Sequence, residues 1–195
     1  MKKKYYVFFA SFIAIGIGLG ILYLEFWRDA GVKLPEDITM ETASGESFAF
    51  TNMEPKVRLV EFFYTKCPSV CPITTQRMMH LRDLFKEEEV FGDKVEFLSI
   101  TIDPEVDTLE EIEEYMNRYG IVDEQGWVFL RGDMAATEKL AEPFRFQFKD
   151  NGTDFIVHTS YTYLLNEKNE LIEKFPMGKA FDKERVHDRI MRLID

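Results

Sequence analysis

The sequence predicts an α/β sandwich around a mixed β-sheet, preceded by one N-terminal transmembrane helix. Three observations carry that expectation. Strand-like apolar runs alternate with helix-like periodic segments, and the series ends in a late hairpin and a terminal helix. The run Val57 to Tyr64 leads into the chain's two cysteines, Cys67 and Cys71, which then open a long amphipathic segment. An uncharged stretch from Tyr5 to Leu24 follows three lysines, Lys2 to Lys4.

That uncharged stretch is the first element. Twenty helical residues span about 30 Å, the thickness of a hydrocarbon core. No small-x-small cleavage site precedes Glu25-Phe26-Trp27-Arg28, which favours an uncleaved anchor over a signal peptide. The lysines place the N-terminus in the cytoplasm, and Tyr23 and Trp27 suit the outer interface. The expected organisation is a basic tip over 1–4, an anchor over 5–26, a tether over 27–36 and a single-pass protein's extracytoplasmic domain over 37–195. A cleaved signal peptide is the alternative. The Gly16 to Gly20 spacing fits a helix-packing pattern, but glycine is common in such helices.

Within the domain, Phe48 to Asn52 reads as a short hairpin strand after Ser44-Gly45-Glu46. Val57 to Tyr64 is dense in β-branched and aromatic residues, as a buried central strand is. From Pro72 the apolar positions Ile73, Met78, Met79, Leu81, Leu84 and Phe85 recur at helical spacing to about Glu89. Val95 to Ile102 is a second strand. Thr108 to Tyr119 is a helix capped by Asp107 or Thr108 and ended by Gly120. Trp127 to Leu130 is a strand and Ala135 to Phe144 a helix. Thr159 to Leu165 and Leu171 to Phe175 pair across Asn166-Glu167-Lys168-Asn169, and Lys183 to Ile194 closes as a helix.

Beyond residue 29 there are 20 Lys and Arg against 33 Asp and Glu, a net of −13. Such acidity argues against nucleic acid or an anionic bilayer surface as partner and suits a cationic one. The glutamate clusters at 87–89 and 110–114 read as solvated helix faces.

The chemistry concentrates at Cys67-Pro68-Ser69-Val70-Cys71-Pro72. A dithiol on the first long helix after a central strand points to the thioredoxin-like (peroxiredoxin-like) class of sandwich. A helix N-terminus favours negative charge, so both thiols are biased toward thiolate, which attacks disulfides and binds soft metals. Pro72 suits the first helical position, with Cys67 to Cys71 wrapped over the helix end. A plain stabilising disulfide is the plainer alternative, although so short a loop constrains the unfolded chain little. Two thiolates need a third ligand. His80 lies more than two turns into the helix, His187 sits among charged residues of the last helix, and His158 stands at a loop-to-strand junction that this fold class brings beside the dithiol. By pattern alone, His158 is as open to a structural role as to ligation.

The cysteine box, followed by Asp103-Pro104-Glu105-Val106-Asp107-Thr108, Gly126-Trp127-Val128-Phe129-Leu130, His158-Thr159 and Tyr163-Leu164, resembles the Sco/SenC family across residues 35 to 195. That resemblance implies a membrane-tethered, thioredoxin-fold copper protein that helps assemble the binuclear copper (CuA) centre of cytochrome c oxidase. It implies copper ligation by Cys67, Cys71 and His158, as Cu(I) or Cu(II), with the CuA-bearing oxidase subunit as partner. The donor of copper and the reductant of the cysteines are named by no motif. Many family members carry an aspartate just before the histidine, where this chain has Val157. No cysteine precedes Cys67, so a lipid-modified cysteine anchor is not expected.

Asp103, at a strand end, is a candidate to orient a ligand from behind, and Asp107 reads first as a helix cap. Met78 and Met79 fit a core better than a thioether path for copper. The expected function is therefore a copper chaperone in which Cys67 and Cys71 also supply electrons, as a redox dithiol with possible reductase activity. The alternatives are a metal-free extracytoplasmic thiol–disulfide oxidoreductase and a copper or redox sensor. A peroxidase is more remote, since the usual peroxidatic surroundings are not evident.

Overall fold

The computed structural model describes residues 2–23, 31–121, 126–152 and 155–194. The chain divides into two units, 1–32 and 33–195. The first is the helix α1, Lys2–Leu22, of which Lys4–Ile21 is long and apolar enough to cross a membrane. Trp27, expected at the outer interface, lies outside the described residues. Tyr23 is exposed.

The second unit is built on β1 (Thr39–Thr42), β2 (Ser47–Ala49), β3 (Val57–Phe63), α2 (Val70–Glu87), β4 (Val95–Thr101), α3 (Leu109–Arg118), β5 (Trp127–Arg131), α4 (Met134–Ala141), β6 (Phe148–Asp150), β7 (Ile156–His158), β8 (Tyr161–Leu165), β9 (Leu171–Pro176) and α5 (Lys183–Ile194). Seven strands form one sheet in the order β2-β1-β5-β4-β3-β8-β9, and β6 pairs with β7 apart from it. β3, β4 and β5 run parallel, while β8, β9 and β1 join antiparallel. This is the mixed, thioredoxin-like sheet that the alternating pattern predicts. Residues 33–36 of the expected tether pack with this unit, since Leu34 is buried and Lys33 bridges to Glu170.

Every residue of β3 and β4 is buried, as parallel strands covered on both faces require. Successive side chains of β3 point to opposite faces. Phe62 packs on Phe144, Phe146 and Tyr163, whereas Phe63 packs on Tyr115 and Phe129. Arg58, also buried, is held by Glu96, Asn169 and the Glu54 carbonyl, tying the start of β3 to β4 and to the β8–β9 turn.

Several elements differ from expectation for local reasons. α2 begins at Val70, so Pro72 is its third residue and Cys71 its second. The first N–H groups of a helix have no intrahelical acceptor, so a proline there forfeits no bond. The helix over 135–144 stops at Ala141 and tightens into a 3-10 turn, because Pro143 has no N–H to continue it. Phe48 to Asn52 divides into β2 and a 3-10 turn. The cap of α3 is Thr108, whose side chain accepts the Glu111 N–H. Removing that hydroxyl with Thr108→Ala is expected to cost about 1 kcal/mol, measurable as a lower thermal midpoint of the full chain with its thiol chemistry intact.

Candidate metal and redox centre

The site is assembled at the carboxyl end of β3. Cys67 sits in the turn between β3 and α2, with its N–H bonded to the Tyr64 carbonyl. Cys71 lies in the first turn of α2 and is fully buried, and Cys67 is nearly so. Both are free thiols. The two-stranded β6–β7 ribbon carries His158 to them, paired in register with Phe148. The sulfurs of Cys67 and Cys71 and a ring nitrogen of His158 all lie within 4.8 Å of one another. The chain thus brings together three residues separated by up to ninety-one positions, from 67 to 158.

The two sulfurs are unlike. Cys67 receives the Cys71 thiol proton, a bond from His158 and the backbone N–H groups of Ser69 and Cys71. Against the opposing effect of burial, these draw its pKa down to about 4. The Ser69 and Cys71 amides are available because helix N-termini leave such groups unbonded. Cys71 is pushed up, first by donating to Cys67, then by burial and by the charges of Cys67 and Glu61. The reduced centre therefore holds one thiolate and one thiol that shares its proton.

His158 is oriented from behind. Its Nδ1 lies 2.8 Å from the Thr159 carbonyl, which only accepts, so Nδ1 carries a proton and Nε2 faces the sulfurs. Burial alone would lower its pKa, but the bonds to Cys67 and to Thr159 leave it raised. The ring stands edge-on to Tyr64 at 5.8 Å and stacks on Phe146 at 5.8 Å. Val157 points the other way and is exposed. The second partner of the imidazole is thus a backbone carbonyl, and the valine that precedes the histidine leaves no gap behind it.

Asp107 does something other than capping. Fully buried, its carboxylate accepts the Thr65 N–H at 3.1 and 3.2 Å, the Thr65 hydroxyl at 2.5 Å and the Thr101 hydroxyl at 2.5 Å. Burial still raises its pKa despite those bonds. It fastens the turn that carries Cys67 to the end of β4. Thr108 follows directly and takes the capping duty, which leaves Asp107 free for this one. Asp103 is half-buried and its backbone N–H bonds Thr101. Burial and the charge of Asp107 raise its pKa, and its carboxylate bonds none of Cys67, Cys71 and His158 among the described residues.

Two participants carry no sequence signal that singles them out. Tyr64 is buried with its ring edge-on to His158, and burial followed by the Cys67 charge pushes its pKa up to about 12. Glu61, fully buried in β3, accepts the Ser99 hydroxyl, which in turn accepts the Trp127 indole N–H. Its other oxygen has no partner, and burial raises its pKa to about 7. The chain offers only a weak clue, a glutamate flanked by Val60 and Phe62 in a buried strand.

The other histidines stay apart. His80 is exposed and bonded to the Gln76 carbonyl. His187, although it sits among charged residues of α5, is half-buried, stacked on Phe85 at 5.2 Å and bonded to Glu88, because α5 packs against α2 there. Met78 is fully buried core.

Two soft sulfurs and one imidazole form a donor set that suits copper in either common oxidation state, and the same sulfurs can close on each other. Known proteins resemble this chain over most of its length. The SCO1 homolog of Bacillus subtilis is 25% identical over 170 residues, covering 82% of this chain and 86% of that protein. Arabidopsis thaliana ScoI, solved with copper bound, superposes with a TM-score of 0.68 at 22% identity, covering 80% of this chain and 95% of that one. BsSco, a cytochrome c oxidase assembly protein with an identified disulfide switch, superposes with a TM-score of 0.71 at 21% identity, covering 83% and 93%. The SCO1/SenC family model matches residues 33–195, and this chain belongs to that family.

Proposed function

We propose that this protein is a membrane-anchored copper chaperone that serves assembly of the CuA centre of cytochrome c oxidase. Cys67, Cys71 and His158 hold the ion, and the two cysteines also reduce the disulfide of the CuA-bearing subunit. The observation that carries this reading is the convergence of two sulfurs and one imidazole nitrogen within 4.8 Å. Copper is cargo here, so the site must both bind and release it. Thiolates favour Cu(I), and the added imidazole accommodates Cu(II). Loading releases the proton that Cys67 and Cys71 share, so uptake strengthens as pH rises and weakens as it falls. Closing the disulfide removes both thiolates, so oxidation and metal retention exclude each other. The α1 segment tethers the domain, with Lys2 to Lys4 in the cytoplasm and residues 37–195 outside.

The asymmetry of the dithiol favours a second reading, a thiol–disulfide oxidoreductase without metal duty. Cys67 is the thiolate that attacks a partner disulfide, and Cys71 keeps its proton until the mixed disulfide forms, then gives it to the departing thiol as its own sulfur attacks Cys67. Copper titration of the reduced full chain in detergent separates the two. The chaperone takes up one ion per chain and shows a sulfur-to-copper charge-transfer band. His158→Ala abolishes Cu(II) retention and oxidase assembly while disulfide reduction persists. Normal oxidase assembly by that variant would leave only the oxidoreductase.

A further inference from the structure

The imidazole of His158 lies against a side chain that is anchored in a different part of the fold. Phe146 stands just before β6, and its ring stacks on the imidazole at 5.8 Å with an interplanar angle of 27°. On the core side the same ring packs on Phe62 of β3 at 4.4 Å and 32°. Phe62, Phe146 and His158 thus form one aromatic column from the central strand to the ligand. Phe146 is 4% exposed, and its N–H bonds the Ala141 carbonyl at the end of α4. The main sheet and α4 therefore set its position. His158, in contrast, rides on a two-stranded ribbon that stands apart from that sheet. Beside it, the Thr159 N–H donates to the Gln147 carbonyl at 2.8 Å, and the Gln147 N–H to the Thr159 hydroxyl at 3.1 Å. Those bonds fix the backbone next to His158. The plane of its ring is fixed by what touches the ring: the Thr159 carbonyl at Nδ1, Tyr64 at right angles and Phe146 stacked on it.

We propose that Phe146 is a positioning residue of this centre, which holds the plane of His158 so that Nε2 stays aimed at the two sulfurs and the site retains Cu(II) as well as Cu(I). The metal half rests on the copper reading above; the ring-orientation half stands on the contacts alone. Two soft thiolates satisfy Cu(I) by themselves, whereas Cu(II) draws on the imidazole as a harder donor. A ring nitrogen binds along its lone pair, so an imidazole turned out of line is lost as a ligand. Removing the stack therefore weakens Cu(II) first. A well-placed aromatic pair favours one orientation by up to about tenfold, which sets the size of the effect.

Phe146→Leu in the reduced full chain in detergent tests both halves, since leucine keeps apolar bulk against Phe62 but removes the flat face. Without copper, NMR of ring-labelled histidine reads the orientation. In the parent, the carbon-bound ring protons of His158 are shielded by Phe146 and show nuclear Overhauser contacts to it; in the variant they move downfield. With copper, chelator competition is expected to show Cu(II) affinity lower by about tenfold and Cu(I) affinity lower by less than about twofold. Loosened packing alone would weaken both oxidation states equally, and an unchanged ratio of the two affinities overturns the proposal. Should Phe146→Leu fail to fold, the parent spectrum decides, because missing contacts between the two rings overturn it as well. If the parent takes up no copper, the copper reading fails, and the ring contacts and shielding alone decide the orientation half.

Discussion

Glu61→Gln is expected to flatten the stability of the reduced protein between pH 5 and 8, a window over which the parent loses about 3 kcal/mol. The carboxyl's ordinary value is 4.5 and burial raises it to about 7. Below 4.5 the group is protonated in folded and unfolded chains alike, and its contribution is fully present. As pH rises past that point, the unfolded chain gives up its proton while the folded chain keeps it, so unfolding is favoured. The loss is complete once the folded group ionises, above about 7. Glutamine has the same shape, still accepts the Ser99 hydroxyl and cannot ionise. The check is thermal unfolding of full-length parent and variant in detergent at several pH values, with thiols kept reduced. The variant should be the more stable at pH 8, and parallel profiles would show that some other group titrates.

Asp107→Ala is expected to be the more damaging change. It strands the Thr65 N–H and the hydroxyls of Thr65 and Thr101 in the interior. Each orphaned buried donor costs about 1–3 kcal/mol, so a loss of about 3 kcal/mol or more follows unless water enters. Thr65 is two residues from Cys67, so the damage should also reach the chemistry. Alkylation of Cys67 should slow at acidic pH, as the turn that aims the Ser69 and Cys71 amides at its sulfur loosens. Asp107→Asn keeps one acceptor oxygen and should fall between the parent and the alanine variant in both measurements. A variant that loses stability but keeps the alkylation profile would confine Asp107 to a purely structural role.

Much of this centre was legible in the chain. The proline-flanked cysteines after a strand required a turn and a helix N-terminus, and that placed both sulfurs at one end of the sheet. His158 was readable as a candidate ligand only through family resemblance, since one histidine near a strand carries little signal of its own. Its two neighbouring strands, β6 and β7, are three residues each, too short for a period to show. β1 was missed for the same reason, as its four residues become a strand through pairing with β2 and β5. Asp107 was misread because a carboxylate just before a helix looks like a cap wherever its neighbours are unseen. Thr108 satisfied the helix, and the aspartate was left for two threonines brought to it by β3 and β4.

Local sequence alone settled the alternation of strands and helices, the apolar segment able to cross a membrane and the turn at which the two thiols meet. These depend on periodicity, turn residues and spacing within one element, all of which are short-range. The tertiary structure decided which thiol is the thiolate, what turns the imidazole toward the sulfurs, and that Tyr64, Glu61 and Asp107 belong to the centre. Those outcomes depend on burial and on donors that arrive from distant strands. The free energy of a charge or a hydrogen bond is set by what surrounds it in space, and a linear order of residues does not contain that.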